Sequence, residues 1–190
     1  MKNYFLNKKL FYIFILFFVF FKSNLGFAEN KIYLDLSKIK FENKINYKDY
    51  QTSTQLLTKT NLDLEINNWF NKNIVLKGSS GTLTVQILDE SIIDNYVEKH
   101  KKKFSFLPKD GIAYKINIKV KLIAENKNNN AKGEVLSIVK GDKTFLGGFS
   151  INDRSKAIAE LMNNMIIRLK LNLRNGMDKE FRDFLTNKYN

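Results

Sequence analysis

Tyr114, Ile116, Ile118, Val120 and Leu122 alternate without a break with Lys115, Asn117, Lys119 and Lys121. Successive side chains of a β-strand leave on opposite faces, whereas a helix would scatter these apolar residues around its surface. The stretch is therefore predicted to be a strand with one dry face and one wet face carrying three Lys. A sheet containing it must be covered on one side only, the pattern of an antiparallel sheet with a single apolar face.

The neighbouring segments supply partners and a cover. Leu83, Val85 and Ile87 alternate with Thr82, Thr84 and Gln86, a second strand that can run on through Ile92 and Ile93. Residues 125–132 read as a polar turn and 133–140 as a return strand, giving a hairpin, with Gly141-Asp142-Lys143 as the next turn. Nearer the N-terminus Ile32, Leu34 and Leu36 alternate, and the apolar parity then slips to Ile39 and Phe41, as a bulge or bend near Ser37–Lys38 would make it. Residues 43–58 are polar and aperiodic and read as a loop, and so do the charged residues 98–111.

Two segments have helical period. Thr60-Asn61-Leu62-Asp63 has the form of a capping box, and Leu62, Ile66, Trp69 and Phe70 then fall on one stripe, with Trp69 as a core anchor. Gly78-Ser79-Ser80-Gly81 closes that segment as a turn. Asn152 or Asp153 is expected to cap a long final helix striped by Ile158, Leu161, Met162, Met165, Leu169 and Leu173. Met177, Phe181 and Phe184 continue the stripe past Gly176, where a kink or a break is expected. Two amphipathic helices and one apolar sheet face predict an α+β fold: a two-layer sandwich, mainly antiparallel, with both helices on one face, in the order β-α-β-β-β-α.

Residues 1–28 stand apart. Lys2, Lys8 and Lys9 precede an unbroken apolar run, Leu10–Phe21, and Gly26-Phe27-Ala28 places small residues before a cut. That is the layout of a secretory signal peptide cleaved after Ala28, leaving 29–190 as a single periplasmic domain. The alternative is an inner-membrane anchor formed by residues 10–21, although a membrane span needs about 20 apolar residues. Four of the thirteen net positive charges belong to this segment, which holds Lys22 besides the three named and no acid. The remaining cations are nearly all Lys, with only four Arg (154, 168, 174 and 182). Phosphate-reading surfaces favour Arg forks, so the charge reads as a solvated Lys-rich surface, and nucleic acid is not expected as a partner.

Little in the chain volunteers for chemistry. The absence of Cys excludes thiolate metal sites, a Cys nucleophile and a lipidated Cys. His100, the only His, lies between Lys99 and Lys101 with no acid beside it and reads as a solvated loop residue. Asp89, Glu90 and Asp94 have no spacing that converges on a metal and read as a solvated strand end. No cofactor and no catalytic residue is expected. Two contact surfaces are. Ile167 and Leu171, one helical turn apart, sit off the main stripe of the last helix and are candidates for a protein partner. Lys99, Lys101, Lys102 and Lys103, followed by Phe104, are candidates for an anionic surface such as a lipid headgroup layer.

Asn67-Asn68-Trp69-Phe70, the strand Gly81–Ile87, and Ser150-Ile151-Asn152-Asp153-Arg154 opening into Leu161-Met162 carry a resemblance. Over roughly residues 32–185 the chain resembles auxiliary lipoproteins of envelope transport systems: the ABC-type transport auxiliary family and, more distantly, the lipopolysaccharide-assembly lipoprotein. Uncharacterised periplasmic proteins of alphaproteobacteria share the cues. The chain departs from that pattern in lacking the lipidated Cys. The resemblance implies a non-enzymatic accessory or adaptor with an envelope protein as partner. The alternative is a small periplasmic protein binding anionic lipid or lipopolysaccharide through the Lys-rich loop and sheet face.

Overall fold

The computed structural model describes residues 31–45, 61–98, 110–146 and 149–186. The fold is α+β, with two helices, a mostly antiparallel four-stranded sheet and a small second sheet. In chain order the strands are β1 (Ile32–Leu34), β2 (Lys38–Asn43), β3 (Ile74–Leu76), β4 (Thr82–Glu98), β5 (Asp110–Asn126) and β6 (Ala131–Leu146). Helix α1 (Leu62–Asn73) lies between β2 and β3, and α2 (Ile151–Glu180) follows β6. The main sheet has the order β2-β4-β5-β6, with β2 parallel to β4 and the other pairs antiparallel. The small sheet pairs β1 with β3 in parallel.

The register puts the apolar residues on one face. Leu83, Val85 and Ile87 of β4 face Ala124, Leu122 and Val120 of β5, which in turn face Gly133, Val135 and Ser137 of β6. Ile39 and Phe41 of β2 join that face beside Leu83 and Val85. The stripe expected for α1 is buried in full, and Trp69 is the core anchor expected, 6% exposed, with its ring edge-on to Phe70 at 4.9 Å. Phe70 meets Phe41 edge-on at 5.9 Å, which ties α1 to the β2 side of the sheet. From α2, Ile158, Met162, Met165, Ile166, Leu169, Leu173 and Met177 are buried. Leu161, expected on that stripe, is half-buried at its edge.

Several local expectations are corrected. The bend expected after Leu36 is present, at Asp35–Ser37, but it carries the chain from one sheet to another, from β1 to β2. The α1 cap is Asn61, whose side chain accepts from the Leu64 N–H at 3.0 Å, while Asp63 instead accepts from Asn43 Nδ2 at 2.8 Å. Before the Gly78–Gly81 turn the chain makes β3, three residues too short for its alternation to register. The α2 cap is Ser150, in a reciprocal capping box with Asp153. Glu90 is no solvated strand end: β4 runs eight residues beyond it, and a register shift between Ile87 and Asp89 turns Glu90 to the buried face.

Two glycines explain the remaining differences. Gly141-Asp142-Lys143 is strand, in register with Ile116, Lys115 and Tyr114. A Cβ on Gly141 would stand 2.7 Å from Met165 Sδ, so the bare backbone admits α2. Gly176 neither kinks nor splits α2, which is continuous; a Cβ there would fall within the Val135 isopropyl group. Both glycines let the helix lie close along β6. After α2 a 3₁₀ turn, Arg182–Phe184, buries Phe184, and the chain returns to β1 through hydrogen bonds from Asp35 N–H to Phe184 O at 2.7 Å and from Thr186 N–H to Tyr33 O at 3.0 Å.

Candidate functional site

Helix α2 presents its buried stripe to the sheet, and its far side is polar except at two places. Ile167 is 64% exposed and Leu171 55% exposed. At 100° per residue they lie opposite the line of Met162, Met165, Leu169 and Leu173, stacked one turn apart. Asn163, Asn164, Arg168 and Asn175, all exposed, surround them. One flank of the helix is fixed to α1 by an ion pair, Lys170 Nζ to Glu65 Oε2 at 2.9 Å. The structure thus brings the two residues singled out in the sequence together as one outward apolar pair on a held helix. Lys99, Lys101, Lys102, Lys103 and Phe104 lie outside the described residues, as do His100, the segment 1–28 and most of the loop expected over 43–58.

The bare face of the sheet is less basic than β5 alone suggests. Cross-strand neighbours place acids among its lysines: Lys121 pairs with Glu134 at 2.7 Å, Lys132 with Glu134 at 3.2 Å and with Glu125 at 3.6 Å. These contacts hold the Glu134 carboxyl below its usual range, chiefly through Lys121, and raise the Lys132 ammonium, chiefly through Glu134. At the β2 end Lys40 (2.6 Å), Gln86 (2.9 Å) and Lys44 (3.1 Å) converge on Glu42. Lys40 does most to bring the Glu42 carboxyl down to about 2. The face is therefore of mixed charge, with Lys121 and Lys132 held by acids.

The same face carries a groove of about 540 Å³ over the middle of β4, β5 and β6, lined by Asp89, Ser91, Ile93, Lys115, Asn117 and Asp142 among others. Asn117 donates to Asp89, which fixes its amide and leaves Asn117 Oδ1 buried without a partner. No stretch of sequence announces this groove, because its lining comes from three strands whose register only the fold sets. Among the described residues no group of His, Cys, Asp and Glu could hold a metal ion, and no helix is long and apolar enough to cross a membrane.

No family model matches the chain, and no curated protein matches it. Solved structures similar to it include a minor lipoprotein from Acinetobacter baumannii, 8% identical, covering 81% of this chain and 98% of that one with a TM-score of 0.41. A protein from Xanthomonas campestris of family DUF330 is 6% identical, covering 81% and 94%, with a TM-score of 0.37. The rare lipoprotein B of Shewanella oneidensis is 11% identical, covering 75% and 94%, with a TM-score of 0.35. What this chain does has to be read from its own surfaces.

Proposed function

We propose that the protein is a non-enzymatic accessory of the bacterial cell envelope. It is exported by residues 1–28, works in the periplasm, and docks on a protein of an envelope transport or assembly system. The observation that carries the docking is the exposed pair Ile167–Leu171 on the polar side of α2. The core of α2 is complete without these two residues, and a soluble helix gains nothing from holding aliphatic side chains in water. The export part rests on the basic, apolar and small-residue order of the N-terminal segment.

The test is photocrosslinking in the native envelope, with the reactive side chain placed at position 167 or, as control, at Lys119 on the bare sheet face. The expected result is one defined adduct from position 167, identified by mass spectrometry as an envelope transport or assembly protein. It should be missing from position 119 and lost when Leu171→Ser is added. Identical adducts from both positions, or none from 167, would end the docking reading. Intact mass of the exported protein tests the export part: cleavage behind Ala28 is expected, and a mass retaining residues 1–28 would replace the soluble product with an anchored one.

A further inference from the structure

Strand β6 ends the main sheet, and among the described residues nothing pairs with its outer edge. Natural edges are kept short, blunted by Pro or a bulge, guarded by charges, or covered by a helix. Here β6 runs 16 residues without Pro and pairs with β5 without a register shift. It also exposes Leu136 (54%) and Ile138 (46%) on the bare face. Its bare face also carries Lys132, Glu134, Lys140 and Asp142, charges that guard an edge against unspecific pairing and leave it open to a strand of matching charge.

Its sequence states which strand that is. Around Ser137 the strand is a near-palindrome: Leu136 and Ile138, Val135 and Val139, Glu134 and Lys140, Gly133 and Gly141, Lys132 and Asp142. We propose that two copies of this chain dimerise by antiparallel pairing of β6 with β6, the two-fold axis passing between the two Ser137 residues. In that register every facing pair is complementary. On the bare face Leu136 meets the second copy's Ile138, Glu134 meets Lys140, and Lys132 meets Asp142. On the covered face valine meets valine and glycine meets glycine. An isologous contact requires this self-complementarity.

Three features of the single chain fit the seam. Ser137 Oγ is buried without a hydrogen-bond partner, and the dimer sets the second Ser137 hydroxyl directly across from it. Lys140 and Asp142 form no ion pair with any described residue, and the dimer gives each an opposite charge. The neighbouring registers are excluded by like charges. Moving the axis to residue 136 sets Lys132 against Lys140, and moving it to 138 sets Glu134 against Asp142. Because facing residues share a face, no register lies between these three. The dimer joins two four-stranded sheets into one and removes both long edges.

The test is a charge swap read by sedimentation equilibrium on the exported chain, with circular dichroism as the fold check. The native chain should sediment at twice the single-chain mass. Lys140→Glu, which breaks no ion pair among the described residues, should weaken dimerisation about tenfold or more, because symmetry places two repulsive Glu–Glu contacts in the seam. Glu134→Lys should do the same, and the double variant Glu134→Lys/Lys140→Glu should restore the dimer. The chain has no Cys, so Ser137→Cys reports register: oxidation should yield a disulfide-linked dimer, whereas Lys143→Cys should not crosslink. A native chain that stays monomeric at its solubility limit would overturn the proposal. So would a dimer indifferent to both single swaps, or folded single variants that the double swap does not rescue.

Discussion

The two faces of the main sheet come from the same strands one residue out of phase, yet different forces hold them. On the covered face Val120, Leu122 and Ala124 are fully buried beneath helices. Burial there contributes about 25 cal/mol per Å² of apolar area, whatever the pH or salt. On the bare face the neighbouring Lys121 and Glu125 are held by Glu134 and Lys132. Such pairs sit in water, are screened by salt, and contribute little each. The covered face therefore sets stability and register, and the bare face adds weak charge pairs between neighbouring strands.

The sharpest way to break that comparison is to remove a side chain from the covered layer. Trp69→Ala should destabilise the domain by about 3–5 kcal/mol, the range for deleting a large buried aromatic. The indole packs edge-on against Phe70 and is 6% exposed. Denaturant unfolding of both forms checks it. A loss below about 0.5 kcal/mol, typical of surface substitutions, would move Trp69 out of the core.

The next effect is smaller and depends on fit rather than on area. In an ordinary helix Gly176→Ala would stabilise by about 1 kcal/mol. Here the new methyl would collide with Val135, and overpacking costs about 1–3 kcal/mol. A net loss is expected in the native background. With Val135→Ala also present the sign should reverse, because the added methyl then fills the vacated space. Thermal unfolding of the four chains gives the coupling directly, and additive effects would mean that α2 does not touch β6 at this point.

Features carried by a local period were legible before any fold was known: the alternation at Tyr114–Leu122, the α1 stripe, the α2 stripe and the outward pair Ile167–Leu171. Features that depend on what lies across a strand were not. Gly141-Asp142-Lys143 looks like a turn until β5 is placed beside it, and the two glycines serve helix contact rather than bending. The lysines of β5 look like a basic face until register brings Glu134 of β6 to Lys121. Glu90 looks solvated until the shift after Ile87 reverses its face. The near-palindrome around Ser137 stood in the sequence throughout and acquires a meaning only with β6 at an edge.

The smallest expected effect belongs to the bare face. Glu42 ordinarily titrates near 4.5 and here falls to about 2, first because of Lys40, then Gln86 and Lys44. A carboxyl lowered by folding favours the native state above its unfolded value. That contribution should be complete above about pH 4.5 and fade as the pH drops toward 2. Carboxyl-carbon NMR of the folded chain should place the Glu42 midpoint near 2 at low salt. Lys40→Gln should raise that midpoint more than Lys44→Gln does, following the order of their contributions. Salt at about 1 M, where the screening length is about 3 Å, should raise it in the native chain as well. The covered layer should ignore that salt, so Trp69 fluorescence stays constant while the Glu42 midpoint moves. A midpoint that stays at its ordinary value in the native chain would mean that the bare-face pairs do not persist in water. The contrast between the two faces would then lose its electrostatic half.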